Sequence, residues 1–172
     1  RNKIVSKKEE KGMKLYHGST VAVRTPNVTR GRRNTDFGKG FYTTTSFEQA
    51  ARWARIKRDR MEADKAVVTE YEFDENLLYS PQYNVMHYNG PTEEWLNFVV
   101  SNRRNSSSHS YDMAMGPVAN DSLYATITMY EKGDLSAEAA VVQLRTHTLF
   151  DQLSFHTKDA ARLLRFVRAI EV

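Results

Sequence analysis

The chain has 172 residues, 40% hydrophobic and 27% charged, a length and apolar fraction that suit one domain built on one sizeable core. A mean hydropathy of -0.63, with no apolar run near the ~18 residues of a bilayer-crossing helix, argues against membrane insertion. Cysteine is absent, which excludes disulfides, thiolate nucleophiles and cysteine-ligated metal sites, and 25 Lys+Arg against 21 Asp+Glu leave a charge of +4 that tolerates polyanions without specifying one.

Residues 1–12 (RNKIVSKKEEKG) are charge-dense, hold no apolar signal-peptide core and read as a linker, a tag remnant or the tail of an upstream segment, leaving 13–172 as the domain. Residues 14–17 (KLYH) form a short strand ending at Gly18. The stretch 21–39 contains Pro26, Gly31, Gly38 and the arginines Arg30, Arg32 and Arg33 without helical period, so it reads as a loop long enough to be functional. The aromatic and β-branched run 41–45 (FYTTT) is a strand. Ser46, three residues before Gln49, opens a helix over 46–64 with Phe47, Ala50, Ala51, Ala54 and Met61 as its apolar stripe.

A strand follows at 66–73 and a helix at 92–102, whose first turn carries Glu93 and Glu94. A polar loop covers 105–110, and 111–118 is a strand broken by Gly116-Pro117. Helices at 121–131 and 136–145 flank Lys132-Gly133-Asp134, and a strand (149–155), a helix (158–164) and a closing strand (165–172) complete the chain. Strands and helices mix without a βαβ rhythm, so the fold class is α+β.

Several familiar sites are missing. No phosphate-loop sequence occurs, Gly38-Lys39-Gly40 precedes a strand rather than a helix, no two histidines have zinc-hydrolase spacing, and no nucleophile-elbow motif is found. What stands out is Leu15-Tyr16-His17-Gly18-Ser19, then Asp36-Phe37-Gly38-Lys39-Gly40-Phe41-Tyr42, with Trp53 eleven residues after Tyr42. Together they resemble the first NAD-binding motifs of the ADP-ribosyltransferase superfamily, on its diphtheria-toxin and poly-ADP-ribose polymerase side. The chain is also similar to the small bacterial domain family DUF3990 in two later motifs. These are Gly116-Pro117-Val118-Ala119-Asn120-Asp121 and Gln152-Leu153-Ser154-Phe155-His156-Thr157.

The resemblance implies a split, mostly antiparallel sheet around a cleft for NAD, with no metal. His17 would reach a ribose hydroxyl, Gly18 would let the backbone approach the carboxamide, and Ser19 would bond ribose or carboxamide. Tyr42 would stack on the nicotinamide, with Trp53 either on the other face or in the core. Arg30, Arg32 and Arg33 would meet the pyrophosphate or form a solvated loop face. Asp36 would tie down its turn. The superfamily's late-strand Glu has two counterparts, Asp151 and Gln152; they point to opposite faces of a strand, and the family pattern favours Gln152. A neutral Gln bonds the ribose but supplies neither negative charge nor a base.

These implications make the leading expectation a mono-ADP-ribosyltransferase that moves ADP-ribose from NAD to a protein or nucleic-acid acceptor and releases nicotinamide. A toxin or effector role in the cytoplasm, or delivered into a target cell's cytoplasm, with an antitoxin or immunity partner, is the setting the resemblance suggests. An NAD glycohydrolase and an inactive NAD-binding or protein-interaction module are the alternatives. A plain nucleic-acid-binding domain, resting on the basic pI and Arg103-Arg104, ranks below them.

Overall fold

The alternating run Leu15 to Gly18 forms a strand, β1 (Gly12–Ser19), in the computed structural model of the chain, which describes residues 11–105, 109–119, 121–147 and 149–172. The long loop that follows contains a single 3-10 turn (Val28–Arg30). Next come β2 (Phe41–Thr44), α1 (Phe47–Met61), β3 (Val67–Asp74), β4 (Val85–His87), α2 (Glu93–Asn105) and β5 (Met113–Pro117). The chain closes with α3 (Asp121–Glu131), α4 (Ala137–Leu144), β6 (Asp151–Phe155), the one-turn α5 (Lys158–Ala161) and β7 (Arg165–Glu171). The fold class is α+β: the strands make one sheet in the order β4-β5-β6-β2-β1-β3-β7, antiparallel except for the β4–β5 pair.

The sheet is continuous but unevenly joined. β1 pairs with β3 along its whole length, from Gly12↔Asp74 to Ser19↔Val67, and β2 pairs with β6 from Phe41↔Phe155 to Thr44↔Gln152. β1 and β2 share the single pair Tyr16↔Thr44. Two half-sheets therefore meet at one rung.

Strand alternation decides what each half buries. Leu15, Tyr71 and Phe73 share a face and join Leu153, Phe155 and Met113 in the main core. Val68 faces the other way, against Ala50 and Ala51 of α1. The helix starts as its sequence dictates: the Ser46 side chain accepts from the Gln49 N–H at 3.2 Å. Phe37, Trp95, Leu96, Leu123, Ile127 and Leu144 form a second core with Ala114 of β5 and the helices α2 to α4.

Three sequence expectations change, and one strand is new. Gly116 and Pro117 do not break β5: they pair with Gln152 and Asp151, and β4 reaches only as far as Met115, so Pro117 sits where β5 has a strand on one side alone. Met61 is not on the buried stripe of α1 but 59% exposed on its neighbouring face. The helix at 158–164 shortens to α5, and the three-residue β4 has no periodicity to announce it. Residues 1–10 of the expected tail, 106–108 of the polar loop and Asn120 lie outside the described residues. Among those described, no helix is long and apolar enough to cross a membrane.

Candidate functional site

A cleft of about 1020 Å³ opens beside the rung that joins the two half-sheets. His17, Gly18 and Ser19 of β1, Tyr42 of β2 and Gln152 of β6 line it, together with Trp53 of α1, Arg30 and Arg32 of the long loop, and Arg103 of α2. Arg33 is exposed and is not on this wall. Asp151, one residue before Gln152, is exposed on the opposite face of β6; alternation leaves Gln152 as the member of the pair in the cleft.

His17 has a fixed tautomer. Its Nδ1 lies 2.6 Å from the Tyr42 carbonyl oxygen, which can only accept, so Nδ1 carries the proton and Nε2 keeps its lone pair. Burial, opposed by that hydrogen bond and assisted by the Lys57 charge, lowers the imidazole pKa to about 4. The ring stacks on Phe41 at 4.2 Å. At neutral pH this is an uncharged acceptor, suited to a hydroxyl and unable to serve as an acid.

Gly18 has a structural reason of its own. It faces α1, and a Cβ there would lie 2.1 Å from the Ala50 carbonyl oxygen and 2.8 Å from the Ala54 nitrogen. The helix backbone rests directly on this glycine.

Tyr42 holds the turn that precedes it. Its hydroxyl accepts the Phe37 N–H at 2.9 Å and donates to the Gly38 carbonyl, which also accepts from Thr35 Oγ1. His109 donates through Nε2 to the Phe37 carbonyl at 2.6 Å, and His156 donates through Nδ1 to the Lys39 carbonyl at 2.8 Å. Three successive carbonyls are thus clamped by side chains. Gly38 makes the turn possible, with φ +86°. The Tyr42 hydroxyl is committed, and burial raises its pKa further; its ring is what remains for a ligand.

Asp36 is the residue whose reach the sequence concealed. Its carboxylate is 9% exposed and receives four donors: Arg103 Nη2 at 2.6 Å and Nε at 2.9 Å on Oδ1, and Gln152 Nε2 at 2.9 Å and the Ala119 N–H at 3.1 Å on Oδ2. The Pro117 carbonyl lies 3.4 Å from the same Gln152 nitrogen. Two acceptors at one end fix the amide with its NH₂ inward, so Oε1 is the end left to accept from a ligand. The expectation that Asp36 ties down its turn is therefore too narrow: it joins the turn, α2, β6 and the segment after β5.

The four sequence motifs thus meet in space through His17, Asp36 with Tyr42, Pro117 with Ala119, and Gln152. Comparison with known families matches residues 13–166 to DUF3990, described as a protein of unknown function. The chain belongs to the DUF3990 family. No curated protein and no solved structure matches it. For this DUF3990 domain the cleft chemistry is an uncharged histidine acceptor, an oriented amide, aromatic rings and a rim of cations.

Proposed function

We propose that the domain binds NAD in this cleft and transfers ADP-ribose to a macromolecular acceptor, as its motifs' resemblance to the ADP-ribosyltransferase superfamily suggests. The observation that carries the reading is the convergence of His17, Tyr42 and Gln152, from three different strands, on one cleft. The residues suit the ligand. His17 Nε2 and Gln152 Oε1 are acceptors for ribose hydroxyls, the Tyr42 and Trp53 rings offer apolar faces to the nicotinamide, and Arg30 and Arg32 offer positive charge to the pyrophosphate.

In the reaction the bond between ribose C1′ and the nicotinamide nitrogen breaks, its electron pair leaving with neutral nicotinamide. Positive charge develops on the ribose, an acceptor heteroatom adds to C1′, and the acceptor loses a proton. Uncharged His17 and Gln152 would orient the ribose and add no repulsion to that developing charge.

A second reading has one observation in its favour: Gln152 carries no charge, which fits a domain that holds NAD without turning it over. Nicotinamide release from NAD, with and without cell lysate, separates them. Release that needs lysate and disappears in His17→Ala and Gln152→Ala supports transfer, and release without lysate points to a glycohydrolase. NAD binding without release supports the inactive module, and absence of NAD binding overturns both readings.

A further inference from the structure

The charge of this molecule is concentrated in the cleft. Among the described residues six basic side chains line it (Arg30, Arg32, Arg52, Lys57, Arg60 and Arg103) against one carboxylate, that of Asp36. Asp36 is spent on Arg103. Among the described residues none of the other five makes an ion pair, although the structure forms such pairs elsewhere, as at Lys14–Glu70 and Arg104–Glu131. Burial, and after it the neighbouring Arg32 charge, lower the Lys57 pKa.

The pyrophosphate of one NAD, with two negative charges, leaves most of this set unanswered. The surplus follows α1: Arg52, Lys57 and Arg60 fall at helical spacing along the cleft-facing side of the helix, beside Trp53, Ile56 and Met61. From Arg52 to Arg60 the helix rises about 12 Å, the stacked rise of three to four nucleotides. Arginine predominates over lysine in the set, as suits phosphate oxygens and base faces. Elsewhere in the lining Tyr124 is 55% exposed, with the Arg103 guanidinium 5.0 Å above its ring.

We propose that this wall is a docking surface for a single-stranded nucleic acid, which lays its phosphates along Arg52, Lys57 and Arg60 and a base against an exposed cleft aromatic. Cations that track a backbone, interleaved with rings on which bases stack, are the chemistry that binds single strands irrespective of sequence. An acidic peptide would use the charges and leave the aromatic surface idle. As the acceptor site of a transferase this surface rests on the NAD reading; as a binding surface it stands without it.

The test is fluorescence anisotropy of a labelled, unstructured strand of about twelve nucleotides, as DNA and as RNA, with a duplex and poly-glutamate as competitors. Binding should weaken with salt at a log–log slope of about -2 to -3, three or four phosphates' worth for a single strand. Arg52→Glu/Arg60→Glu should weaken it at least tenfold with the circular dichroism spectrum unchanged, and Tyr124→Ala should weaken it at constant charge. Absence of strand binding, or equal competition by poly-glutamate or duplex, overturns the proposal. NAD binding, measured on the same samples by Trp fluorescence, separates the two readings. Strand binding without NAD binding sinks the transferase and keeps the surface; NAD binding without strand binding does the reverse.

Discussion

Gln152 Nε2 donates to Asp36 Oδ2 at 2.9 Å, joining β6 to the turn before β2 across 116 residues of sequence. The bond decides which end of the amide the cleft receives, and it makes Asp36 the hinge of the site's electrostatics. Asp36→Asn would remove the counter-charge of Arg103 and set an amide against the Gln152 amide. The expected loss is about 3 kcal/mol, as for a buried ion pair that loses one partner. Urea denaturation checks it, and a loss under 1 kcal/mol would show that the network matters little.

Gln152→Glu, which would place at this position the carboxylate of the superfamily that the motifs resemble, should not behave as a simple gain. The new carboxyl would sit beside Asp36, and like charge with burial would raise its pKa. An acid whose folded pKa is raised holds more protons folded than unfolded, so stability should fall as pH rises from about 4 toward 8. Melting temperatures of variant and parent across that range test this. A constant difference between them would mean that the carboxyl turns away from Asp36.

His17 and His156 both have pKa values lowered to about 4, chiefly by burial, from an ordinary 6.5. The folded chain therefore binds fewer protons than the unfolded chain between those values. Their contribution is fully present above pH 6.5 and is lost as pH falls toward 4. Unfolding free energy at pH 7 should exceed that at pH 4.5 by a few kcal/mol, on the order of 1.4 kcal/mol per pH unit per group. Nitrogen chemical shifts at pH 6 should show both rings neutral with Nδ1 protonated.

Two conservative changes separate framework from ligand roles. Gly18→Ala must push α1 off β1 and should cost roughly 2–3 kcal/mol by the usual scale of overpacking. Tyr42→Phe keeps the ring and strands the Phe37 N–H, while the Gly38 carbonyl keeps Thr35 Oγ1, with an expected cost of about 1–3 kcal/mol. If Tyr42 meets NAD through its ring, the Phe variant binds NAD as the parent does, and Tyr42→Ala does not. Equal loss in both would show that NAD binding depends on the hydroxyl and the turn it holds, not on the ring.

Local signals carried far in this chain. Ser46 and Gln49 announced α1, Lys132-Gly133-Asp134 separated α3 from α4, and strand alternation put Asp151 and Gln152 on opposite faces, leaving the family pattern to favour Gln152. What stayed hidden has no local cause. Nothing near Asp36 points to Arg103, 67 residues away, because a buried ion pair is made by the packing of α2 against the turn. Pro117 read as a strand breaker because the sequence does not say that β4 stops at Met115. Met61 read as core because hydropathy cannot tell which of two adjacent helix faces meets the sheet.

The single rung between β1 and β2 also has a dynamic consequence. Beyond Tyr16↔Thr44, side chains tie these strands at the cleft: the His17 imidazole donates to the Tyr42 carbonyl, where a ladder bond would be, and stacks on Phe41. The cleft is therefore bounded by a seam poor in ladder bonds, which the shared core and these side chains hold closed, and its backbone amides should exchange sooner than those inside either half-sheet. A molecule bound across β1 and β2 would act as a staple, and its arrival would register as slowed deuterium uptake along that line.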